Sequence, residues 1–360
     1  MIRRIVGIIL IALFIVSCGN QREIKIGFAG SLSGNGHEMG TAAHNGFLIA
    51  QNEINSTGGI NGRMITSYIK DDQSTLDIAK KLVDEFVTDD VQFVVGFLTS
   101  NMTPAVELGL EKNLFFISPS ISTPLLSEKD DFFIRTASPM EFEAKELAHY
   151  TYDVGVRKLS VIYDMDNEIY TKKYLEILSH EFLLQDTELV LTQALYDDYD
   201  STVEKLIESN TDGLCLITSA HKASEILQRL QKNNYSIPVG LSQWTMANEL
   251  IEKGGKSVEN SYGVSIYNQY NLTDNFTKFR DKYYARFNTE PSFASITTYE
   301  SVMVLREALE TSQAPEKVKE HIINRSYNIL QNEFYINKYG DSVREYFIVR
   351  IKNGAITFEE

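Results

Sequence analysis

The sequence predicts an α/β protein made of two doubly wound parallel sheets. Three observations carry that expectation. Short apolar runs alternate with segments of helical period along most of the chain. The alternation breaks off after Ile117 and starts again at Leu159. A length of 360 residues also exceeds what one hydrophobic core usually serves.

The elements follow in order. Residues 24–29 read as a short apolar strand, and a Gly-rich loop follows over 30–40. Ala43, Phe47, Ile49, Ala50 and Ile54 recur at helical spacing over 41–54, and the turn cluster 57–62 stops that helix. Strands are expected at 65–70, 92–96 and 114–117, with helices at 75–88 and 103–112 between them. The second series has strands at 159–163, 189–195, 214–218 and 239–241, with helices at 169–184, 203–208 and 222–232. Strand–helix–strand units of this kind make parallel sheets covered on both faces, with right-handed crossovers. The tail differs. It reads as three helices in succession (275–286, 293–309, 315–324) and then short strands at 335–339, 345–352 and 355–358.

Charge and cysteine narrow the function. The formal net charge of −15 repels phosphate backbones, so nucleic acid is not an expected partner. Cys215 lies in an apolar run and reads as a small core hydrophobe. No cysteine or histidine cluster has zinc spacing, so neither metal nor cofactor is expected. Arg3 and Arg4 precede the uncharged run 5–16, which has the length of a signal-peptide core and is short for a membrane span. It ends in Ile15-Val16-Ser17-Cys18-Gly19, which resembles the bacterial lipobox. That implies a signal peptide over 1–17, a lipidated Cys18 at the mature N-terminus, and a tether over 18–22 holding an exported body at a bacterial membrane.

Several segments together resemble one family. They are Ile24-Lys25-Ile26-Gly27 with Ser31-Leu32-Ser33-Gly34, Glu53-Ile54-Asn55-Ser56-Thr57-Gly58-Gly59-Ile60-Asn61-Gly62-Arg63, and Asp71-Asp72-Gln73-Ser74. Val94-Val95-Gly96-Phe97-Leu98-Thr99-Ser100, Ile117-Ser118-Pro119-Ser120 and Phe133-Ile134-Arg135-Thr136 continue the series. In this order the chain resembles the type I periplasmic binding proteins of the branched-chain amino acid (Leu/Ile/Val) receptor family of ABC transporters. The resemblance implies two lobes joined by three crossovers: lobe one over 23–140 plus 267–330, lobe two over 141–266 plus 331–360. It also implies a monomer that captures a small, carboxylate-bearing solute by hinge closure near Met140, Ile266 and Leu330. The partner would be an ABC permease with its ATPase, and the chain would not be an enzyme.

Ligands of open α/β sheets bind beyond the carboxyl ends of the strands. The loops there hold Leu98, Thr99 and Ser100, and Ser118, Ser120 and Ser122. Hydroxyls and free N–H groups at a helix start suit a carboxylate. From spacing alone the serines serve equally well as caps and turn residues. The resemblance assigns Ser100, Ser120 and Ser122 to a ligand's carboxylate and ammonium. It matches Tyr170 to an aromatic across the cleft, Met39 to a pocket wall, and Ala220 to a site where some members carry tyrosine. Amino-acid receptors of the family tend to place an acid in the loop after 239–241, where this chain has Ser242, Gln243 and Trp244. That departure favours a ligand with less positive charge, such as an aromatic or aliphatic acid. Asp71 and Asp72 read as the start of the following helix.

Two other functions fit parts of the sequence. A sensing module for a membrane signalling partner would share every feature above. A nucleotide-binding oxidoreductase would use Gly34, Gly36 and Gly40, but the run departs from G-x-G-x-x-G at Met39.

Overall fold

Beyond Glu23 the chain opens on the apolar run that forms the first strand of the computed structural model, which describes residues 23–359 apart from Asn35, Gln269 and Asn271. The expected signal peptide (1–17), the tether (18–22) and the lipidated Cys18 lie outside the described residues.

Strands β1 (Ile24–Gly30), β2 (Ile65–Asp71), β3 (Phe93–Gly96), β4 (Phe115–Ser118) and β5 (Phe133–Arg135) form one sheet in the order β2-β1-β3-β4-β5. All its pairings are parallel. Its interior strands are apolar apart from Lys25 in β1 and Ser118 at the end of β4, because helices cover both faces.

The described helices are α1 (His37–Ser56), α2 (Leu76–Thr88), α3 (Thr103–Glu111), α4 (Met140–Asp153), α5 (Glu168–Leu183) and α6 (Tyr199–Glu208). They continue with α7 (Ala220–Lys232), α8 (Asn248–Gly254), α9 (Asp274–Phe287), α10 (Phe293–Leu309) and α11 (Pro315–Ile322). Helix α2 shows the principle of attachment: Ala79, Leu82, Val83 and Phe86 fall at helical spacing and fill one face. With α3 it covers one side of the first sheet. Helix α1 and the late helices α9, α10 and α11 cover the other. Helix α10 is buried around most of its circumference, and three of its hydroxyls are satisfied within the helix. Thr297, Thr298 and Ser301 donate to the carbonyls of Phe293, Ala294 and Thr297 at 2.8, 2.6 and 2.8 Å. Helix α1 can lie against it because Gly46 has no side chain; a Cβ there would stand 2.2 Å from the Ser295 carbonyl oxygen.

The second sheet contains β6 (Lys158–Asp164), β7 (Glu188–Leu195), β8 (Gly213–Ile217), β9 (Val239–Leu241) and β10 (Tyr262–Ser265) in parallel pairings. After a small separate sheet of β11 (Arg325–Tyr327), β12 (Phe334–Ile336) and β13 (Ser342–Val343), strands β14 (Phe347–Lys352) and β15 (Ala355–Phe358) complete it. The full order is β15-β14-β10-β9-β8-β6-β7. Here the structure departs from an all-parallel expectation, because β14 runs antiparallel to β10 and β15 turns back on β14. The cause of the second reversal is local. Asn353 and Gly354 both have positive φ, 55° and 69°, the two-residue turn that folds a chain into a hairpin. Helices α4 and α5 cover one face of this sheet, and α6, α7 and α8 the other. Cys215 is fully buried in β8, and burial pushes its thiol up to about 12.

Two sequence expectations shift. No element was expected over 140–153, where α4 stands, or at β10. The third passage between the sheets was expected near Leu330, but Leu330, Phe334 and Ile336 share one core with β1 and α10. The chain therefore crosses after β5, after β10, and between Val343 and Phe347.

Candidate functional site

The carboxyl ends of β3 and β4 face those of β6, β8 and β9 across a cleft. The first sheet with its helices is hereafter the first lobe, and the second sheet with its helices the second lobe. At the end of β3, Gly96 has φ 131°, and a Cβ would lie 2.2 Å from the Ala29 carbonyl oxygen, so only glycine fits. The two serine loops are tied together. Ser118 Oγ donates to the Phe97 carbonyl and Ser120 Oγ to the Leu98 carbonyl, each at 2.7 Å. The Met140 N–H reaches the Ser122 carbonyl at 2.9 Å, which links the second loop to the start of α4. Beneath it, the fully buried Arg135 pairs with Asp341 at 2.6 Å and donates to the Thr123 carbonyl at 2.9 Å.

These loops wall a cavity of about 40 Å³ shared by both lobes. Leu98, Ser100, Ser120, Ser122, Met39 and Phe293 line it from one side. Asn167, Tyr170, Gln243, Trp244 and Glu143 line it from the other, with Ala137 and Ser138 on the segment between. Tyr170 stands edge-on to Trp244, with ring centroids 5.8 Å apart at 86°. Burial pushes the Tyr170 hydroxyl well above its usual range, so it stands in the cavity as a neutral donor and acceptor. Thr99 and Ala220 stand outside this cavity. Thr99 lines a wider space of about 310 Å³ beside Asp164, Asp166 and Lys222, and Ala220 one of about 430 Å³ that it shares with Met39, Trp244 and Phe293.

Sequence reasoning missed Ala137, Ser138, Asn167 and Phe293, and above all Glu143. It sits on the inner stripe of α4 with Met140, Ala144, Leu147, Ala148 and Thr151, and is 3% exposed. Its Oε1 accepts the Gln243 N–H at 2.6 Å. Burial pushes its carboxyl up to about 7, against the opposing effects of that hydrogen bond and of the Tyr174 hydroxyl. The signal was an acid inside an apolar stripe, visible once 140–153 is read as a helix. One polar atom beside it, Gln243 Nε2, is buried and has no partner among the described residues. Buried groups of that kind suit a ligand that completes their bonds.

Asn101, just past the cavity, bonds directly across the cleft. Its Nδ2 donates to the Asp166 carbonyl at 2.8 Å, and its Oδ1 accepts the Ile169 N–H at 2.9 Å. Asn167 Oδ1 accepts the Asn101 N–H at 3.2 Å in return. Asn167 precedes α5 but makes no cap bond to its own helix; Asn101 from the other lobe caps that helix instead. Asp71 and Asp72 also differ from expectation. Rather than opening α2, they hold the loop after β1: Asp71 Oδ1 accepts the Leu32 N–H at 2.8 Å, and Asp72 Oδ1 the Ser31 hydroxyl at 2.7 Å.

Two sheet-and-helix lobes meeting around a small polar cavity define a binding protein of the two-lobed α/β class. The periplasmic binding protein family model matches residues 23–355, and the chain belongs to that family. It is similar to the Leu/Ile/Val-binding protein homolog 1 of Brucella suis biovar 1, at 24% identity over 327 residues, 87% of this chain and 85% of the relative. Among solved structures it resembles the branched-chain amino acid transporter substrate binding protein LivJ of Streptococcus pneumoniae in complex with isoleucine, with TM-score 0.86, 22% identity and coverage of 93% and 98%. It equally resembles an ABC transporter solute binding protein of R. palustris in complex with benzoate, with TM-score 0.86, 15% identity and coverage of 94% and 95%.

Proposed function

We propose that this chain is the extracytoplasmic solute-binding component of an ABC-type importer, capturing a small amino acid or organic acid as its lobes close. The observation that carries the reading is the cavity itself. Hydroxyls, an amide and aromatic walls from both lobes converge where the strand ends of the two sheets meet. A site divided in this way is completed only on closure, so a solute that touches both sides draws the population toward the closed form. Family membership and the ligands of the structural neighbours support the same reading. The hinges are the passages after β5, after β10 and after β13. In this reading Ser100 and Ser122 receive the solute on the first lobe, and Tyr170 and Trp244 close over it.

Replacing Ser100 and Ser122 together with alanine is expected to weaken binding at least tenfold, given about 1–3 kcal/mol for each unsatisfied polar partner. A thermal-shift panel of amino acids and carboxylic acids finds the solute, and calorimetry on the variant measures the loss. Unchanged affinity rejects the serine loops as the site. Export and lipidation at Cys18 complete the proposal, with a permease and its ATPase as partners. Cys18→Ser should move the protein from the detergent phase to the aqueous phase in a detergent phase separation. Retention in the detergent phase would reject the lipid anchor.

A further inference from the structure

We infer that Glu143 receives the protonated amine of the solute, so that the solute is a zwitterion with an ammonium beside its carboxylate rather than an amine-free acid. The inference rests on the receptor reading above and deepens it. The loop after β9 presents Ser242, Gln243 and Trp244 and no acid, which taken alone favours an amine-free ligand. The fold supplies the missing charge from elsewhere. Helix α4 carries Glu143 to the same cavity, and the Gln243 N–H holds its Oε1 at 2.6 Å. It is the one acid among the described cavity residues, and no lysine, arginine or histidine stands with it there.

The surroundings of Glu143 explain what it waits for. Tyr170 and Tyr174 face it from α5, and Tyr346 from the segment before β14. All three are held in the neutral form by burial. The Gln243 N–H and the neutral Tyr174 hydroxyl both favour its ionised form, and no cation among the described residues pairs with its charge. A buried carboxylate without a counter-charge is costly. A solute ammonium provides one. An amine-free carboxylate would instead bring a second negative charge into a cavity of about 40 Å³.

The two solute classes are separated by the sign of a pH dependence. The empty site holds Glu143 near half ionisation at neutral pH, since burial pushes its carboxyl up to about 7. An ammonium binds the ionised form and displaces the proton. Its affinity therefore rises about tenfold from about pH 6 to about pH 8, following the ionised fraction. An amine-free acid prefers the protonated form and loses affinity over the same interval.

The test is calorimetry at about pH 6 and about pH 8, with the standard L-amino acids, their amine-free carboxylic analogues and benzoate as probes. At least one L-amino acid should bind, more tightly at the higher pH, while its amine-free analogue does not. Glu143→Gln should weaken that amino acid at least tenfold at the higher pH and flatten the pH dependence, and Glu143→Asp should keep the sign. The wild-type pH profile carries the test even if a variant does not fold. A folded Glu143→Gln with undiminished affinity overturns the inference, as does a flat wild-type profile. Binding confined to amine-free acids overturns it too, and leaves the receptor reading standing. Binding by neither class removes the receptor reading and this inference together.

Discussion

Arg135→Met is expected to lower stability by roughly 3–5 kcal/mol, the range for removing one partner of a buried ion pair. Arg135 is fully buried at the end of β5, and its guanidinium meets Asp341 at 2.6 Å. Nη1 also donates to the Thr123 carbonyl at 2.9 Å. Methionine fills much of the same volume, so the loss is mainly electrostatic: Asp341 stays buried without its cation, and a carbonyl of the serine loop loses its donor. The double variant Arg135→Met, Asp341→Leu removes both charges and should recover a large part of the loss, because the desolvation of an ion pair offsets most of its attraction. Urea midpoints of the single and double variants measure both effects. A single variant as stable as the wild type would show that this pair does not anchor the loop.

The second large effect concerns closure. Asn101→Ala removes two side-chain hydrogen bonds across the cleft, to the Asp166 carbonyl and from the Ile169 N–H. Each contributes about 0.5–1.5 kcal/mol net, since in the proposed hinge motion water takes over both groups as the lobes part. The closed form should therefore lose roughly tenfold or more relative to the open form, and apparent affinity should fall by up to the same factor. The solute's own contacts are untouched, so saturating solute should still close the variant. Small-angle scattering separates the two states: the empty variant should be more extended than the empty wild type, and the two should coincide when loaded. Identical affinity and identical scattering would remove Asn101 from the account.

Much of this architecture was legible in the residues. The apolar runs of β1, β3 and β4, and the stripe Ala79, Leu82, Val83 and Phe86 in α2, have the periods that burial on two faces and on one face impose. The serine loops were legible because strand ends of open sheets locate a site before any side chain is considered. What escaped notice was non-local. Helix α4 has an apolar stripe broken by a carboxylate. Strand β10 is only four residues long, Tyr262–Ser265, and one of its two partners, β14, lies far along the chain. The third crossing was misplaced because the pairing of β12 with β11 and β13 decides it, and nothing in the local sequence announces that pairing. Glu143 and Asn101 act on residues from about 65 to 100 positions away, which no spacing rule connects.

The account depends on a solute held between the strand tips of both lobes, and the protein carries its own probe there. Trp244 is the only tryptophan in the sequence and walls the shared cavity. Titrating its emission with a solute that raises the melting temperature should give a saturable change, lost in parallel with binding when Ser100 and Ser122 are both alanine. A solute that stabilises the protein yet leaves Trp244 emission unchanged at saturation would be bound elsewhere, and would contradict this site.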